Sequence, residues 1–327
     1  MVPPLIALEE HFFSTDILNA LDEAYSEQFK AIPGLRDKLG DLDQLRLSDM
    51  DKSQISMQVV SHACMPGSPS VTQCRDGNDQ LAAACKKHPT RFAGFAVLPM
   101  SDPEAAATEL ERAVTELGFV GALIDNHVNG TYYEGPEYDT LWSTAQTLNV
   151  PIYLHPVWPS ENMLQQYSSP HFTAGASKSL GASGWGWHAD CGLHVLRLHA
   201  GGVFDRFPKL KLIIGHFGEM IPYQLERICK LSVRWGEIRR PFQEVWRENI
   251  WITTSGVWSL DPLRCVLANT PVEHVLFGVD YPLETCENGL KWVEELEGSG
   301  LVSREQLEMI AHGNAEKLLG IKLKADG

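Results

Sequence analysis

Eight short apolar runs, each followed by a helical pattern, constrain the fold of this chain more than any other feature. The runs are nearly continuous rather than alternating, which is typical of parallel strands covered by helices on their outer face. Eight strand–helix units within 327 residues predict an α/β fold, a (β/α)₈ TIM barrel in which residues 1–327 form one domain. The predicted strands are Leu5–His11, Ile55–His62, Phe92–Leu98, Val120–Ile124, Ile152–His155, Leu212–His216, Ile250–Thr254 and His274–Asp280.

The segments between these strands predict amphipathic helices. The clearest is SDPEAAATELERAVTELG, where Ser101 or Asp102 can cap the helix, Pro103 lies in the first turn and Gly118 ends it. The stretch 156–190, after the fifth strand, is instead a long insertion rich in Ser, Gly, Pro and Trp, and loops of that length are usually functional. Further helices are predicted at Thr15–Glu27, Asn78–Lys87, Tyr138–Thr147, Leu193–Phe207, Pro222–Leu231 and Arg304–His312.

Composition excludes several classes of partner. The formal net charge is −15 and there is no run of Lys or Arg, so nucleic acid and anionic membranes are disfavoured. No apolar run reaches the roughly 20 residues that span a bilayer, and the start lacks the features of a signal peptide. The seven cysteines form no CxxC pair, which fits a reducing compartment. We therefore expect a soluble, cytoplasmic protein.

Polar side chains stand at the ends of four predicted strands, where a β/α barrel carries its chemistry. They are Glu9, His11, His155, His216 and Asp280. Two carboxylates combined with imidazoles form a mixed oxygen and nitrogen site that suits one divalent cation such as Zn²⁺ or Mn²⁺. The sequence therefore predicts a metal site at the mouth of the barrel.

Strand alternation separates the adjacent glutamates of ALEEH. Side chains two apart on a strand share a face, so Glu9 points the same way as His11, while Glu10 points to the other side. We predict Glu9 as a metal ligand and Glu10 as a residue outside the site. His62 ends the second strand and is interpreted as a core histidine.

Long motifs along nearly the whole chain resemble the decarboxylases of the amidohydrolase superfamily. This branch includes aminocarboxymuconate-semialdehyde decarboxylase, γ-resorcylate decarboxylase and the fungal 2,3-dihydroxybenzoate decarboxylases. The motifs that carry the resemblance are ALEEH, GFVGALIDN, VPIYLHP, LHVLRL, GGVFDRFPKLKLIIGHFGE, ITTSG, LFGVDYP and GNAEKLLGI. The resemblance implies an amidohydrolase-like barrel.

The resemblance also implies a set of site residues. It makes Glu9, His11, His155 and Asp280 the metal ligands, gives Asp280 the role of proton donor, and places a catalytic pair, His216 and Glu219, beside them. Hydrolytic relatives usually carry HxH on the first strand, and binuclear ones add a lysine on the fourth. This chain has Glu9 at the first position and no lysine in GALID, so we expect one ion per chain, Zn²⁺ or Mn²⁺, with Mg²⁺ as an alternative.

The implied reaction is the nonoxidative decarboxylation of an ortho-hydroxybenzoate, a small-molecule substrate. Arg227 matches an arginine near the substrate of related enzymes, and Trp187 matches an aromatic contact; a surface arginine and ordinary packing are the alternatives. Asp125 stands in IDN where γ-resorcylate enzymes have Asn, which favours 2,3-dihydroxybenzoate, giving catechol and CO₂.

Three alternatives to this function stay open. The same chemistry on salicylate or 2,6-dihydroxybenzoate is one, a metal-dependent hydrolase such as a lactonase is the second, and a barrel that only binds a metal or ligand is the third. Relatives suggest a homodimer or homotetramer.

Overall fold

A computed structural model describes residues 2–21, 25–65 and 67–323. Its eight strands are parallel and follow one another in chain order, β1-β2-β3 in one sheet and β4-β5-β6-β7-β8 in the other. The strands are β1 Leu5–Phe12, β2 Ile55–His62, β3 Phe92–Gly94, β4 Ala122–Asp125, β5 Pro151–His155, β6 Lys211–Ile214, β7 Ile250–Thr253 and β8 Val275–Leu276.

Backbone contacts join the two sheets at both seams into a TIM barrel. At one seam Leu8 and Gly278 form a parallel bridge, and the Leu8 N–H donates to the carbonyl oxygen of Phe277 at 3.0 Å. At the other seam Ala96 bridges Ala122. The predicted fold class is confirmed.

Helices surround the strands. The α-helices are α1 Thr15–Ala20, α2 Ser26–Ala31, α3 Leu35–Gly40, α4 Gln44–Lys52, α5 Val71–Lys87, α6 Pro103–Thr115, α7 Asp139–Leu148, α8 Glu161–Leu164, α9 Ala174–Gly181, α10 Gly186–Ala200, α11 Val203–Arg206, α12 Ile221–Ser232, α13 Phe242–Asn249, α14 Leu260–Asn269, α15 Cys286–Ser299, α16 Arg304–Glu308 and α17 Asn314–Leu319. Short 3₁₀ turns occur at Pro136–Tyr138, Gln165–Tyr167 and Val272–His274, and a π-turn at Met309–Gly313.

Two apolar layers bury the strands. The outer layer lies between strands and helices, and the inner layer fills the barrel with side chains such as Ile6, Leu8 and Phe95. Leu318 and Leu319 of α17 pack into this inner layer. The amino-terminal end of the barrel is therefore filled by apolar side chains, and the polar chemistry is confined to the opposite end.

The predicted strands all occur, but two of them end before their site residue. β6 ends at Ile214 and β8 at Leu276, so His216 and Asp280 lie in the loops that follow, contrary to the predicted boundaries. Their φ angles of 49° and 71° are in the left-handed region, which a regular strand does not contain outside a bulge.

Two predicted helices are divided. The sequence predicts one helix over Thr15–Glu27, whereas α1 ends at Ala20 and α2 begins at Ser26; residues 22–24 lie outside the described part of the chain. Leu193–Phe207 is split into α10 and α11 by two glycines, of which Gly202 has a φ of 71° that a continuing helix cannot accommodate.

The insertion 156–190 is more regular than the expected loop. It contains α8, α9 and the first turn of α10. Ser160 caps α8 and Thr173 caps α9 through their side-chain oxygens. Helical structure in this stretch fixes where its Trp and His side chains lie.

Candidate active site

A bulge in β1 sets the direction of the first two site residues. Leu8 pairs with Val59 of β2 and Glu10 with Val60, so Glu9 is the extra residue, and its φ is 68°. Leu8 already faces the barrel interior. Because the bulge shifts the phase by one residue, Glu9 also turns inward, Glu10 turns away and His11 turns inward.

Four side chains converge at the mouth of the barrel. Glu9, His11, His155 and Asp280 each offer a ligand atom, and these atoms lie within 4.8 Å of one another. Oε1 of Glu9 is 3.2 Å from Nε2 of His155, and Nε2 of His11 is 3.2 Å from Oδ1 of Asp280. The Asp280 side chain is 16% exposed and the other three are buried, so the cluster opens to solvent on the Asp280 side.

These residues fit a divalent cation. Oε1 of Glu9, Nε2 of His11 and Oδ1 of Asp280 are buried, and among the described residues none of their contacts, including the two at 3.2 Å, is aligned as a hydrogen bond. A buried polar atom without a partner costs about 1–3 kcal/mol, and here three such atoms face one another. Two carboxylate oxygens and two imidazole nitrogens form a donor set that binds Zn²⁺ or Mn²⁺ well.

Hydrogen bonds from β5 and from the end of β7, on other sides of the barrel, hold Glu9. Its second oxygen, Oε2, accepts from the hydroxyls of Tyr153, Ser255 and Thr253. Burial alone would raise the pKa of Glu9, but His216, His155 and His11 hold that pKa well below its usual value. Glu9 is therefore an oriented carboxylate anion, as a metal ligand must be.

An imidazole–carboxylate pair lies beside the cluster, in the loop after β6. Nδ1 of His216 is 2.7 Å from Oε1 of Glu219, and Nε2 of His216 is 3.5 Å from Oε1 of Glu9. Burial opposes protonation of His216, yet Glu219 and Glu9 raise its pKa to about 9. The predicted pair is thus formed, with one ring nitrogen on Glu219 and the other facing the cluster.

Sequence reasoning missed a third residue, His188, which contacts Glu219 of this pair. His188, in the first turn of α10, places Nδ1 2.8 Å from Oε2 of Glu219. Burial would raise the pKa of Glu219, but His216 and His188 together lower it. The sequence offered no spacing signal for His188, because the insertion separates it from every strand-end motif.

The three residues predicted to contact substrate lie at different distances from the ligand cluster. Asp125 ends β4 next to His155, and burial raises the pKa of Asp125 to about 7. Trp187 is partly buried and packs edge-to-face on Trp158, with ring centroids 5.0 Å apart. Arg227 does not join the cluster, because its side chain is exposed on α12.

Glu10 and His62 lie outside the cluster, as expected. Glu10 is buried behind β1, where it accepts from the N–H of Val279 at 2.9 Å and from Nε2 of Gln58 at 3.1 Å. Burial raises the pKa of Glu10 well above its usual value. His62 is buried, accepting from the Ser14 N–H at 3.2 Å.

Comparison with known proteins identifies the family. The Amidohydrolase family model matches residues 19–321. This chain belongs to the amidohydrolase family. It is 55% identical over 331 residues to "Decarboxylase orsB" of Emericella nidulans, a match that spans 100% of both chains. It is 34% identical over 331 residues to the γ-resorcylate decarboxylase of Polaromonas sp., covering 96% of this chain and 97% of the relative.

A solved structure is similar to this chain in both fold and sequence. It is a dihydroxybenzoic acid decarboxylase from Polaromonas sp. with bound manganese and the inhibitor 2-nitroresorcinol, superposing with a TM-score of 0.86 at 34% identity. The match covers 98% of this chain and 97% of the other. This member of the amidohydrolase family is accordingly an enzyme, a metal-dependent decarboxylase. Within the described residues, every helix is too short or too polar to cross a membrane.

Buried hydrogen bonds connect the loop after β4 to α10. His194 of α10 donates from Nδ1 to Oδ1 of Asn126 at 3.0 Å and accepts from the Tyr133 N–H at Nε2, also at 3.0 Å. Both ring nitrogens are satisfied only in the neutral form. Burial lowers the pKa of His194 to about 3.

This depressed pKa predicts a pH-dependent stability. The unfolded chain takes up the proton near pH 6.5, whereas the folded chain resists it, so stability is complete above that pH and falls as the pH is lowered towards 3. Between pH 7.5 and 5.5, His194 alone should lower the free energy of unfolding by about 1.4 kcal/mol. Urea unfolding at both pH values should show this difference reduced by about that amount in His194→Gln; equal pH dependence in both proteins would contradict it.

Proposed function

We propose that this member of the amidohydrolase family catalyses the nonoxidative decarboxylation of an ortho-hydroxybenzoate. Its proposed substrate is 2,3-dihydroxybenzoate, which gives catechol and CO₂. The observation that carries the proposal is a cluster of three unpartnered ligand atoms, one of which, Oε1 of Glu9, lies 3.5 Å from Nε2 of His216 in the His216–Glu219 pair. The 55% identity to a decarboxylase over the full length of both chains supports the reaction type.

The reaction adds one proton to the ring carbon that bears the carboxylate and then breaks the bond to CO₂. The electron pair of that bond returns to the ring and restores aromaticity. A divalent cation held by Glu9, His11, His155 and Asp280 would supply positive charge for the substrate carboxylate and the adjacent ring oxygen. Asp280, the most exposed of these four residues, faces the mouth through which a substrate enters and is the proposed acid.

His216 has a separate role in this proposal. Its Nδ1 is held by Glu219, so Nε2 is the nitrogen that can accept the proton of the ortho hydroxyl when the ring is neutral. Glu219 and Glu9 favour the protonated ring, with a pKa of about 9, whereas a divalent cation held by the neighbouring cluster would oppose their effect and favour the neutral ring. Deprotonating that hydroxyl makes the neighbouring ring carbon more electron-rich. The pair therefore prepares the carbon that Asp280 protonates.

Asp125 supports 2,3-dihydroxybenzoate within this class. It lies at the end of β4 beside His155, and its pKa of about 7 lets the carboxyl group accept from or donate to a second ring hydroxyl. The names of the γ-resorcylate relatives favour a second candidate, 2,6-dihydroxybenzoate. Salicylate and a lactonase reaction are weaker alternatives.

A product screen tests the proposal. The purified protein is incubated with 2,3-dihydroxybenzoate, 2,6-dihydroxybenzoate, salicylate and an aryl lactone, each with and without a chelator. We expect chelator-sensitive CO₂ release, fastest with 2,3-dihydroxybenzoate. Ring opening of the lactone without CO₂ release from any acid would refute the decarboxylase reading, and a faster 2,6-isomer would refute only the substrate.

Metal analysis gives a second, independent prediction. Elemental analysis should find about one divalent ion per chain, Mn²⁺ or Zn²⁺, since the cluster has a single set of four ligands. His155→Ala should lose most of this ion, whereas His171→Ala, on an exposed residue of the insertion, should keep it. A fully active preparation without metal would contradict the prediction.

Assembly and location rest on the sequence. A homodimer or homotetramer stays a prediction from the resemblance, and a cytoplasmic location stays a prediction from charge and cysteine usage.

A further inference from the structure

We propose that His188 is a positioning residue that fixes the carboxylate of Glu219 and, through it, the ring of His216. The inference rests on the proposed decarboxylation, in which His216 exchanges a proton with substrate. Oε1 of Glu219 accepts from His216 at 2.7 Å and Oε2 accepts from His188 at 2.8 Å. The Glu219 side chain is fully buried, so these two imidazoles define both of its oxygens.

The three side chains could also be read as a second metal site, because their polar atoms lie within 4.8 Å of one another. Their hydrogen bonding argues against that reading. The ligand cluster around Glu9 contains buried atoms without partners, whereas no polar side-chain atom of His188, His216 or Glu219 is left unpartnered and buried. A cation would have to replace two short hydrogen bonds that already satisfy the carboxylate.

The contacts of His188 define its hydrogen-bonding role. Nε2 of His188 is 3.1 Å from the carbonyl oxygen of Ser183, which can only accept, so Nε2 carries a proton. Nδ1 faces the Glu219 carboxylate, which also accepts. A ring held between two acceptors donates to both, and it therefore restrains the carboxylate by a charge-assisted hydrogen bond.

The backbone of the insertion determines where His188 lies. α9 ends at Gly181 and α10 begins at Gly186, and a Cβ at Gly186 would lie only 2.5 Å from the carbonyl oxygen of Gly181. The N–H groups of Trp185 and Trp187 both donate to the carbonyl oxygen of Ala182 at 3.1 Å. This tight turn aims His188 at Glu219, which gives the long insertion a defined part in the active site.

Three substitutions separate the two contacts of His188. His188→Asn places an amide nitrogen near the position of Nδ1 and keeps a donor for Glu219. His188→Gln places its amide nitrogen near the position of Nε2 and keeps only the contact with Ser183. His188→Phe removes both contacts. We expect His188→Gln and His188→Phe to lower kcat by at least about tenfold with little change in KM, the scale of losing an outer hydrogen bond that orients a site residue. His188→Asn should retain most of kcat, and His171→Gln, an exposed histidine of the same insertion, should match the wild type.

A measurement without substrate makes the result independent of the proposed reaction. In Zn²⁺-loaded protein with ¹⁵N-labelled histidine, the ring signals of His216, assigned from their loss in His216→Asn, should report a protonated Nδ1 in the wild type and in His188→Asn. They should show loss of that fixed proton in His188→Gln and His188→Phe. Wild-type His216 signals in the Gln and Phe variants would overturn the proposal even if no hydroxybenzoate is turned over. So would two metal ions per wild-type chain falling to one in the His188 variants.

Discussion

Asp280→Asn should lower turnover of the hydroxybenzoate by at least about a hundredfold, the scale of a lost general acid, while the protein keeps a large part of its divalent cation. The amide retains one oxygen that can bind the metal but cannot supply the ring proton. Asn also adopts the left-handed backbone of this position, φ 71°, better than most residues, so the loop geometry is retained.

Two measurements check the role of Asp280. Metal content and kcat are compared in the wild type, in Asp280→Asn and in Asp261→Asn, a control on an exposed aspartate of α14. In deuterated water, the wild-type product should carry one deuterium on the carbon that bore the carboxylate. Full metal with near-normal turnover in Asp280→Asn would move the acid to another group and leave Asp280 as a ligand alone.

Glu9→Gln should impair metal binding and activity, whereas Glu10→Gln should lower only the stability of the fold. Glu9 contributes an unpartnered oxygen to the metal cluster, so its neutral amide should weaken metal binding and lower activity by orders of magnitude. Glu10 is buried behind the strand and burial raises its pKa, so an uncharged side chain of the same shape is tolerated there. Glu10→Gln should keep metal and kcat and lower the free energy of unfolding by about 1–3 kcal/mol through its altered hydrogen bonds.

This pair of variants is its own control, because the two glutamates are adjacent and differ only in the face they occupy. Metal affinity by titration, kcat and urea unfolding are measured on both. Equal loss of metal from the two variants would mean that the bulge in β1 does not separate their directions.

The direction of Glu9 shows how far sequence reasoning reaches. Alternation counted back from His11 places Glu9 inward, which is where it lies. Alternation counted forward from the inward-facing Ile6 and Leu8 would have placed Glu10 inward instead. Only the bulge reconciles the two counts, and it leaves no mark in the sequence because residues 5–8 before it are apolar on both faces and show no alternation to shift. The count back from His11 succeeded because the shift in register lies on the other side of Glu9, between Leu8 and Glu10, and the residues from Glu10 to His11 pair regularly.

Features that depend on tertiary structure could not be predicted from the sequence. The apolar runs predicted all eight strands, since burial between helices requires such runs. They could not predict that β6 and β8 end early, because the left-handed turns at His216 and Asp280 depend on the surrounding site. Arg227 is exposed on α12, and its contact with substrate stays a prediction from the motif. His188 had no motif, since only the folded insertion brings it to Glu219.

Glu9, His216, Glu219 and Asp280 all occupy left-handed backbone conformations, with φ between 49° and 71°. Glycine adopts such conformations without steric cost, whereas other residues lose roughly 1 kcal/mol or more. Random mutagenesis screened only for expression or heat resistance should thus drift towards Gly or Asn at these four positions and lose catalysis as it does so. A lineage that keeps Glu, His and Asp there is one in which turnover itself has been under continuous selection.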